Sequence, residues 1–192
     1  MNVLFLGYAD CKLLEFLHSK CKVFQTTDRL SLSDIDELSP DIIISYGYRY
    51  IIKKDIIDKY EGKIINLHIS YLPWNRGVGP NLWSIVEDTE KGVTIHILDE
   101  GIDTGDILFQ KKVEILDEDT LATSYNKLRD EIEILFKQSW SKIKSFNFER
   151  IKQNLDDGSY HSKKQTNELL EKLDISGRWD ITIKELAKND ME

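Results

Sequence analysis

The sequence predicts an α/β fold built on a mostly parallel sheet that is flanked by helices. Short apolar runs such as residues 3–6 and 42–44 have the length and composition of strands buried on both faces of a sheet. Segments with apolar residues at helical spacing lie between these runs. Strands that alternate with helices form parallel sheets through right-handed crossovers, so the pattern favours this fold class.

The first third of the chain is expected to hold four strands, at residues 3–6, 23–26, 42–44 and 64–68. Leu13, Leu14 and Leu17 predict a helix after the first strand. Isoleucines at positions 51, 52, 56 and 57 predict a helix after the third strand, and Gly62 is expected to end it. Residues 31–39 are polar and predict a loop.

The next part of the chain changes its pattern. Pro80 is well placed as the first residue of a short helix. Apolar and polar residues alternate over 93–97, which predicts a strand, and another strand is expected at 107–115. Apolar spacing over 120–146 predicts a long amphipathic helix, capped by Asp119 or Thr120.

The remaining residues are polar and predict a short helical carboxyl-terminal tail, with one helix around Leu169 and Leu173 and another beginning near Thr182. A loop is expected between residues 156 and 164. The elements together predict a Rossmann-like architecture in which residues 1–146 form the main domain and residues 147–192 form the tail.

The charge, the cysteines and the hydropathy of the chain limit its expected partners and location. It has 34 acidic and 26 basic residues and a formal net charge of −8, so a nucleic acid partner is not expected. Cys11 and Cys21 are not spaced for a metal or redox motif and are expected to be reduced thiols. No leader pattern and no apolar run of membrane length is visible, so we expect a cytoplasmic protein without membrane contact.

Two polar residues interrupt an otherwise apolar strand. Asn66 and His68 are two positions apart, so both side chains leave the same face, near the carboxyl end where open parallel sheets bind ligands. A lone strand histidine is more often a hydrogen-bonded core group. Asp103 lies in a glycine-rich turn, where most aspartates bond their own loop. Asn66 and His68 together predict a site.

A longer pattern joins these residues. Asn66, His68, Ser70, Leu72 and Pro73 form an Asn-x-His-x-Ser-x-Leu-Pro motif, and residues 101–106 read Gly-Ile-Asp-Thr-Gly-Asp. The ordered pair resembles the folate-dependent formyltransferase family. The resemblance implies that Asn66, His68 and Asp103 are catalytic and that 10-formyltetrahydrofolate supplies the formyl group.

The resemblance also implies where the two substrates bind. The pterin is expected between the turn after the third strand, at Tyr46 and Gly47, and a segment following the alternating strand. That segment contributes Leu98, Asp99, Gly101 and Ile102. The alternative is that Tyr46 and Tyr48 cap the sheet. Ser70, Arg76 and Gly77 are expected to contact the acceptor, with Arg76 meeting a phosphate or the acidic tail of the folate.

The expected chemistry is acyl transfer to an amine. The Asn66 amide can donate to the oxyanion, His68 can supply a second donor or move the proton of the attacking amine, and Asp103 can stabilise the charged imidazole. This chemistry requires no metal. A zinc site is not expected, because the other histidines are dispersed. A structural role is favoured for His96, and Trp83 is ambiguous between packing and substrate contact.

The acceptor is expected to be a nucleotide-linked amino sugar. The segment 75–83 resembles that branch of the family, whereas the first loop, with Asp10 and Lys12, is a weak phosphate cradle for glycinamide ribonucleotide. The chain is also expected to lack the extra domain of the initiator-tRNA branch. Two alternatives stay open, a glycinamide ribonucleotide formyltransferase and a non-catalytic folate-binding protein. A homodimer is a further expectation.

Overall fold

Eight strands and seven α-helices make up the computed structural model, which describes residues 1–189. The strands are β1 (Asn2–Gly7), β2 (Lys22–Thr26), β3 (Ile42–Tyr46), β4 (Ile64–His68), β5 (Arg76–Gly77), β6 (Gly92–Ile97), β7 (Ile107–Lys112) and β8 (Tyr160–His161). The α-helices are α1 (Lys12–His18), α2 (Leu32–Leu38), α3 (Lys54–Lys59), α4 (Pro80–Val86), α5 (Leu121–Lys144), α6 (Lys163–Lys172) and α7 (Ile183–Asn189).

Six of the strands form one mixed sheet in the order β2-β1-β3-β4-β6-β7. The pairings from β2 to β4 are parallel, and β6 and β7 are antiparallel to their neighbours. Successive parallel strands are joined by helices, as crossover connections require. The predicted mostly parallel, Rossmann-like sheet is therefore confirmed.

Helices cover both faces of this sheet. On one face α1 and α5 pack against β1 and β3 through Leu13, Leu17, Ile132 and Phe136, all of which are fully buried. On the other face α2 and α3 pack through a second cluster around Ile35 and Ile56. Because β3 is covered on both sides, all its residues are buried, which explains its unbroken apolar sequence.

The prediction of a loop at residues 31–39 is wrong, because α2 forms there. Ser31 caps the helix by accepting from the Asp34 N–H, and the Asp34 carboxylate accepts from the Ser31 N–H. This reciprocal capping box satisfies two backbone donors at the helix start. Ile35 is the buried residue of the helix, so the apolar stripe of α2 is too narrow to identify from periodicity alone.

Other element boundaries also differ from the sequence prediction. The helix expected from residue 51 begins at Lys54, and the Ile51 side chain is 81% exposed. The strand expected to reach residue 115 ends at Lys112, and the helix expected to reach residue 146 ends at Lys144. Thr120 is confirmed as the cap of α5, where its hydroxyl accepts from the Thr123 N–H.

The tail contains the two expected helices, α6 and α7, and also strand pairings that the sequence does not reveal. β8 pairs in parallel with β5, and Ile151 forms an antiparallel bridge with Ile107 at the start of β7. Leu169, Leu173 and Leu186 pack with residues of α4. The tail thus contacts the sheet and the loop before α4, and the domain boundary at residue 146 stays a prediction.

Within residues 1–189, no helix has the length and hydropathy needed to cross a membrane.

Replacing Phe136 by Ala should destabilise the protein by about 3–5 kcal/mol, because a fully buried ring packed near Trp140 leaves a cavity when removed. Urea unfolding followed by circular dichroism measures the loss. Ile134 lies on the same helix with 41% of its surface exposed, so Ile134→Ala is the matched control and should cost far less. Equal losses in the two variants would contradict the packing of α5 described above.

Candidate active site

Polar side chains from two neighbouring strands meet on one face of the sheet. Asn66 and His68 leave the same face of β4, and His96 on β6 lies directly opposite Asn66 in the antiparallel register. Asp103 comes from the loop between β6 and β7. This loop leaves β6 beside the other end of β4, where the Leu98 N–H donates to the Ile64 carbonyl, so it has to fold back to reach His68.

The fold-back of the loop requires two unusual backbone features. Asp103 has a φ of 55°, a left-handed conformation that aspartate and asparagine tolerate better than most residues. A Cβ atom at Gly105 would lie 1.9 Å from the Ile97 carbonyl oxygen, so only glycine fits against β6. Such local constraints often accompany functional sites.

The Asp103 carboxylate is the centre of the polar cluster. Its Oδ1 accepts from Asn66 Nδ2 at 3.1 Å and lies 3.4 Å from His96 Nε2. Its Oδ2 accepts from the Gly77 N–H at 2.9 Å and lies 3.7 Å from His68 Nδ1. The structure therefore brings together the three residues that the sequence predicts to be catalytic, and adds His96.

The surroundings of Asp103 keep it ionised. Burial alone would raise the pKa of this carboxyl, but the charge of His68, the hydrogen bond and charge of His96, and the Gly77 N–H together hold the pKa well below its usual range. Asp103 is therefore a fixed negative charge at neutral pH. A fixed anion of this kind can stabilise a cation that forms next to it.

The His68 ring is oriented by the chain that follows it. Its Nε2–H donates to the Asn75 carbonyl oxygen at 3.2 Å, so Nδ1 faces Asp103. Asn75 is itself fully buried, and its amide donates to the Thr89 hydroxyl at 2.7 Å. When Nε2 carries the only ring proton, Nδ1 has a free lone pair and can accept a proton.

The Asn66 amide is held by two partners. Its Nδ2 lies 3.2 Å from His96 Nε2 and donates to Asp103, while His96 Nδ1–H donates to the Ile97 carbonyl at 2.8 Å. While His96 is neutral, its Nε2 is an acceptor, and both amide hydrogens of Asn66 are engaged. A protonated His96 instead donates its Nε2–H to Asp103, a contact that helps to lower the Asp103 pKa. The expected donation by Asn66 to an oxyanion stays a prediction and requires one of the hydrogen bonds of its amide to be given up.

Gln153, a residue of the tail, donates hydrogen bonds to the backbone of the Asp103 loop. Gln153 is buried, and its Nε2 donates to the carbonyl oxygens of Asp103 at 2.9 Å and Gly105 at 2.7 Å. The sequence gives no local signal for this role, since Gln153 lies some fifty residues beyond the loop. It supports the left-handed turn through backbone contacts and leaves the Asp103 carboxylate to its other partners.

The cluster opens into a cavity of about 350 Å³ at the carboxyl end of β4. Asn66, His68 and Asp103 are part of its lining. The remaining walls come from the turns after β1 and β3, the segment before α4, and α5, and they comprise Tyr8, Tyr46, Gly47, Tyr48, Leu67, Ile69, Gly77, Gly79, Pro80, Tyr125 and Arg129. This volume is within the range of small-molecule sites.

The residues predicted to hold the pterin are divided between two places. Tyr46 and Gly47 line the cavity that contains Asp103, whereas Leu98 and Asp99 line a separate cavity of about 280 Å³ beside α3. Gly101 and Ile102 lie in the turn outside both, and Ile102 is 45% exposed. The six residues thus do not converge on one cavity in this structure, and their role in cofactor binding stays a prediction.

The residues predicted to contact the acceptor are also separated. Gly77 lines the cavity and donates its N–H to Asp103. Ser70 is buried and its hydroxyl donates to the Trp74 carbonyl. Arg76 lies outside the cavity lining, and its Nε donates to the Ser159 carbonyl at 3.3 Å. The substrate roles of Ser70 and Arg76 stay predictions.

Three residues of the cavity carry no motif in the sequence. Tyr8 follows β1, and Tyr125 and Arg129 are four residues apart on α5. That i, i+4 spacing places two polar side chains on one helix face next to the apolar stripe, which is the single signal that could have identified them. Trp83, ambiguous from the sequence, stacks on His161 at 3.7 Å and donates to Thr166, so packing explains it.

Among residues 1–189, no group of three or more histidine, cysteine or acidic side chains is arranged to hold a metal ion.

The family model for formyl transferase matches residues 13–139 of the chain. Curated relatives include the methionyl-tRNA formyltransferase of Finegoldia magna, 40% identical over 95 residues that make up 49% of this chain and 31% of the relative. The enzyme of the same name from Prochlorococcus marinus is 37% identical over 143 residues, 74% of this chain and 41% of the relative. The chain thus spans less than half the length of these relatives.

Solved structures resemble the chain over more of its length. The formyltransferase PseJ from Anoxybacillus kamchatkensis, solved with UDP-4,6-dideoxy-4-formamido-L-AltNAc and tetrahydrofolate, has a TM-score of 0.90 and 42% identity, covering 98% of this chain and 100% of PseJ. An N-formyltransferase from Helicobacter canadensis, solved with folinic acid and dTDP-3-aminofucose, has a TM-score of 0.72 and 25% identity, covering 85% and 71%. The chain belongs to the formyl transferase family.

Proposed function

We propose that this protein transfers a formyl group from 10-formyltetrahydrofolate to the amine of a nucleotide-linked amino sugar. The observation that carries the proposal is the buried Asp103 anion, which joins Asn66 and His68 in the lining of the cavity. The match to PseJ over almost the whole chain supports the choice of acceptor, because PseJ was solved with a formamido sugar linked to UDP.

His68 is the proton acceptor in this proposal. An amine that attacks the formyl carbon becomes positively charged and has to lose a proton before the product forms. The Nδ1 lone pair of His68 can take that proton while Nε2–H stays bonded to the Asn75 carbonyl. The resulting imidazolium lies 3.7 Å from the Asp103 carboxylate, which stabilises it without itself changing its protonation state.

Asn66 is the proposed donor to the oxyanion that develops on the formyl oxygen. One such donor contributes about 2.7–4 kcal/mol in acyl-transfer sites. When His68 becomes charged, Asp103 gains a stronger partner, and its bond from Asn66 is the one most easily released. Asn66 can then turn one N–H toward the oxyanion while the other stays on His96.

The cavity fits a folate and an amine substrate together. Its lining includes Tyr8, Tyr46 and Tyr48, whose rings supply apolar surface for a pterin, and Gly47 beside them is exposed and has a φ of 67°. 10-Formyltetrahydrofolate supplies the formyl group when bound. The cysteines play no part in the proposal, and burial raises the pKa of the Cys11 thiol. A homodimer remains a prediction.

Purified protein should release tetrahydrofolate from 10-formyltetrahydrofolate when a UDP- or dTDP-linked 3-amino or 4-amino sugar is added. Absorbance change and mass spectrometry of the formylated sugar measure the reaction. Glycinamide ribonucleotide and initiator methionyl-tRNA are offered in parallel. Efficient turnover of either one, with every amino sugar ignored, would replace the proposed acceptor, and folate binding without any turnover would favour the non-catalytic alternative.

Replacing His68 by Asn should lower kcat by about a hundredfold to ten-thousandfold, the usual contribution of a positioned general base. Folate affinity should change little, because the imidazole acts mainly on the transition state. Steady-state kinetics and folate titration measure the two effects. His18 is exposed at the end of α1, so His18→Asn is the matched control. A loss of folate affinity as large as the loss of kcat would argue against proton transfer by His68.

Replacing Asp103 by Asn should lower kcat and change the pH–rate profile. The carboxylate stays ionised because its pKa is held low, so the variant removes a fixed negative charge beside the His68 ring throughout the assay range. The imidazolium that forms during proton transfer then lacks the anion that stabilises it. Asparagine tolerates the left-handed backbone of Asp103, so the turn should survive.

The matched control for this variant is Asp88→Asn. Asp88 also has a positive φ, of 45°, but its side chain is 97% exposed and lies outside the cavity lining. An Asp103→Asn profile that superimposes on those of the wild type and this control would reduce Asp103 to a structural turn residue.

A further inference from the structure

Arg129 is a cation on the cavity wall that forms no direct ion pair among the described residues, and Glu133 is a carboxylate on which its charge acts from a distance. It lies half-buried on α5, and its guanidinium carbon is 4.5 Å from the centre of the Tyr8 ring and 6.0 Å from those of Tyr46 and Tyr125. Its Nε donates to the Tyr46 hydroxyl at 3.4 Å. Within residues 1–189 it forms no ion pair, and its four Nη hydrogens have no hydrogen-bond partner.

The tyrosines around Arg129 do not neutralise its charge. Burial, with the hydrogen bond between the Tyr8 and Tyr125 hydroxyls, raises the pKa of Tyr8 to about 12, and burial also raises the pKa of Tyr46. Both hydroxyl groups therefore stay protonated and neutral at physiological pH. The rings instead hold the guanidinium by cation–π contact, which leaves its outer edge free for an anion.

Arg129 borders two cavities, and the charges that line them indicate which one an anion enters. Arg129 also borders a second cavity of about 410 Å³, but Asp10, Asp130 and Glu133 line that side, and Lys12 there is paired with Asp130 at 2.9 Å. Among the described residues, the lining of the catalytic cavity has one carboxylate, Asp103, whose oxygens already have partners. Electrostatics therefore favour an anion on the catalytic side of Arg129.

We infer that Arg129 binds the diphosphate of the acceptor and thereby places the sugar amine beside His68. This inference rests on the proposed function, because it takes the acceptor to be a nucleotide-linked sugar. Arginine is suited to the task, since its planar fork donates two parallel hydrogen bonds to phosphate oxygens. Within the described part of the chain, Arg129 is the single lysine or arginine that lines the catalytic cavity, whereas Arg76 faces the Ser159 carbonyl outside it.

Arg129→Met tests the inference, because methionine keeps an unbranched apolar stem against the tyrosines but has no charge. UDP and dTDP should bind the variant about 10- to 100-fold more weakly than the wild type, the loss expected for hydrogen bonds to a charged group. The nucleosides uridine and thymidine, which lack the diphosphate, should bind both proteins equally. Isothermal titration calorimetry without folate measures these affinities.

Two further measurements identify the anion. The Michaelis constant for the amino-sugar acceptor should rise with Arg129→Met by a factor similar to the loss of UDP affinity, while the Michaelis constant for the folate donor changes less than about twofold. Added salt should weaken UDP binding to the wild type more steeply than to the variant. A rise in the constant for the folate donor alone would assign Arg129 to the acidic tail of the folate and overturn the inference.

Control variants separate this effect from misfolding and from loss of any positive charge. Lys142→Met removes a charge from an exposed position on the same helix and should leave UDP affinity unchanged. Arg129→Lys keeps the charge and should retain more affinity than Arg129→Met, with a thermal transition close to that of the wild type. Arg76→Ala is measured alongside them, and if it abolishes UDP binding while Arg129→Met does not, Arg129 is not the anchor.

The inference and the proposed function can fail separately. If the wild type formylates an amino-sugar nucleotide and Arg129→Met keeps its acceptor Michaelis constant and UDP affinity, the proposed function stands and the inference is wrong. If the wild type binds UDP through Arg129 but formylates no amino sugar, the anion site stands and the proposed acceptor is wrong. Wild-type protein that binds neither UDP nor dTDP contradicts the inference.

Discussion

The site depends on one buried negative charge. Removing a carboxylate such as Asp103 from water is costly, and the charge persists only where several donors and cations surround it. Asn66, His68, His96 and the Gly77 N–H supply these contacts from three separate segments. Because each partner also gains from the anion, a single charge fixes the relative positions of the side chains that are proposed to act on the substrates.

The change from parallel to antiparallel pairing explains why these segments meet. β6 runs against β4, which places His96 beside Asn66 but carries the chain away from His68. The following loop can return to His68 only through a left-handed residue and a glycine that touches the β6 backbone. The sheet topology therefore generates the need for the turn, and Asp103, which tolerates that conformation, also supplies the charge that holds it in place.

The sequence predicts those residues of the site that depart from the pattern of the strand or loop in which they lie. Asn66 and His68 are recognisable because polar groups interrupt an apolar strand, and the glycines around residue 103 indicate a constrained turn. The sequence predicts a structural role for His96, because a histidine in this alternating strand is equally compatible with the core. Arg129 and Gln153 depend on contacts between distant segments, and the two-residue strands β5 and β8 are too short to produce a periodicity.

The pairing of β8 with β5 and the contacts of Gln153 determine when the site can be completed during synthesis of the chain. A nascent chain that has emerged only as far as α5 contains every residue of the main sheet and all three members of the Asn66, His68 and Asp103 set. It still lacks β8, which pairs with β5 at Gly77, and the Gln153 amide, which donates to the carbonyls of the Asp103 turn. The contacts that position Gly77 and the Asp103 turn can therefore form only after residues 153–161 have been synthesised.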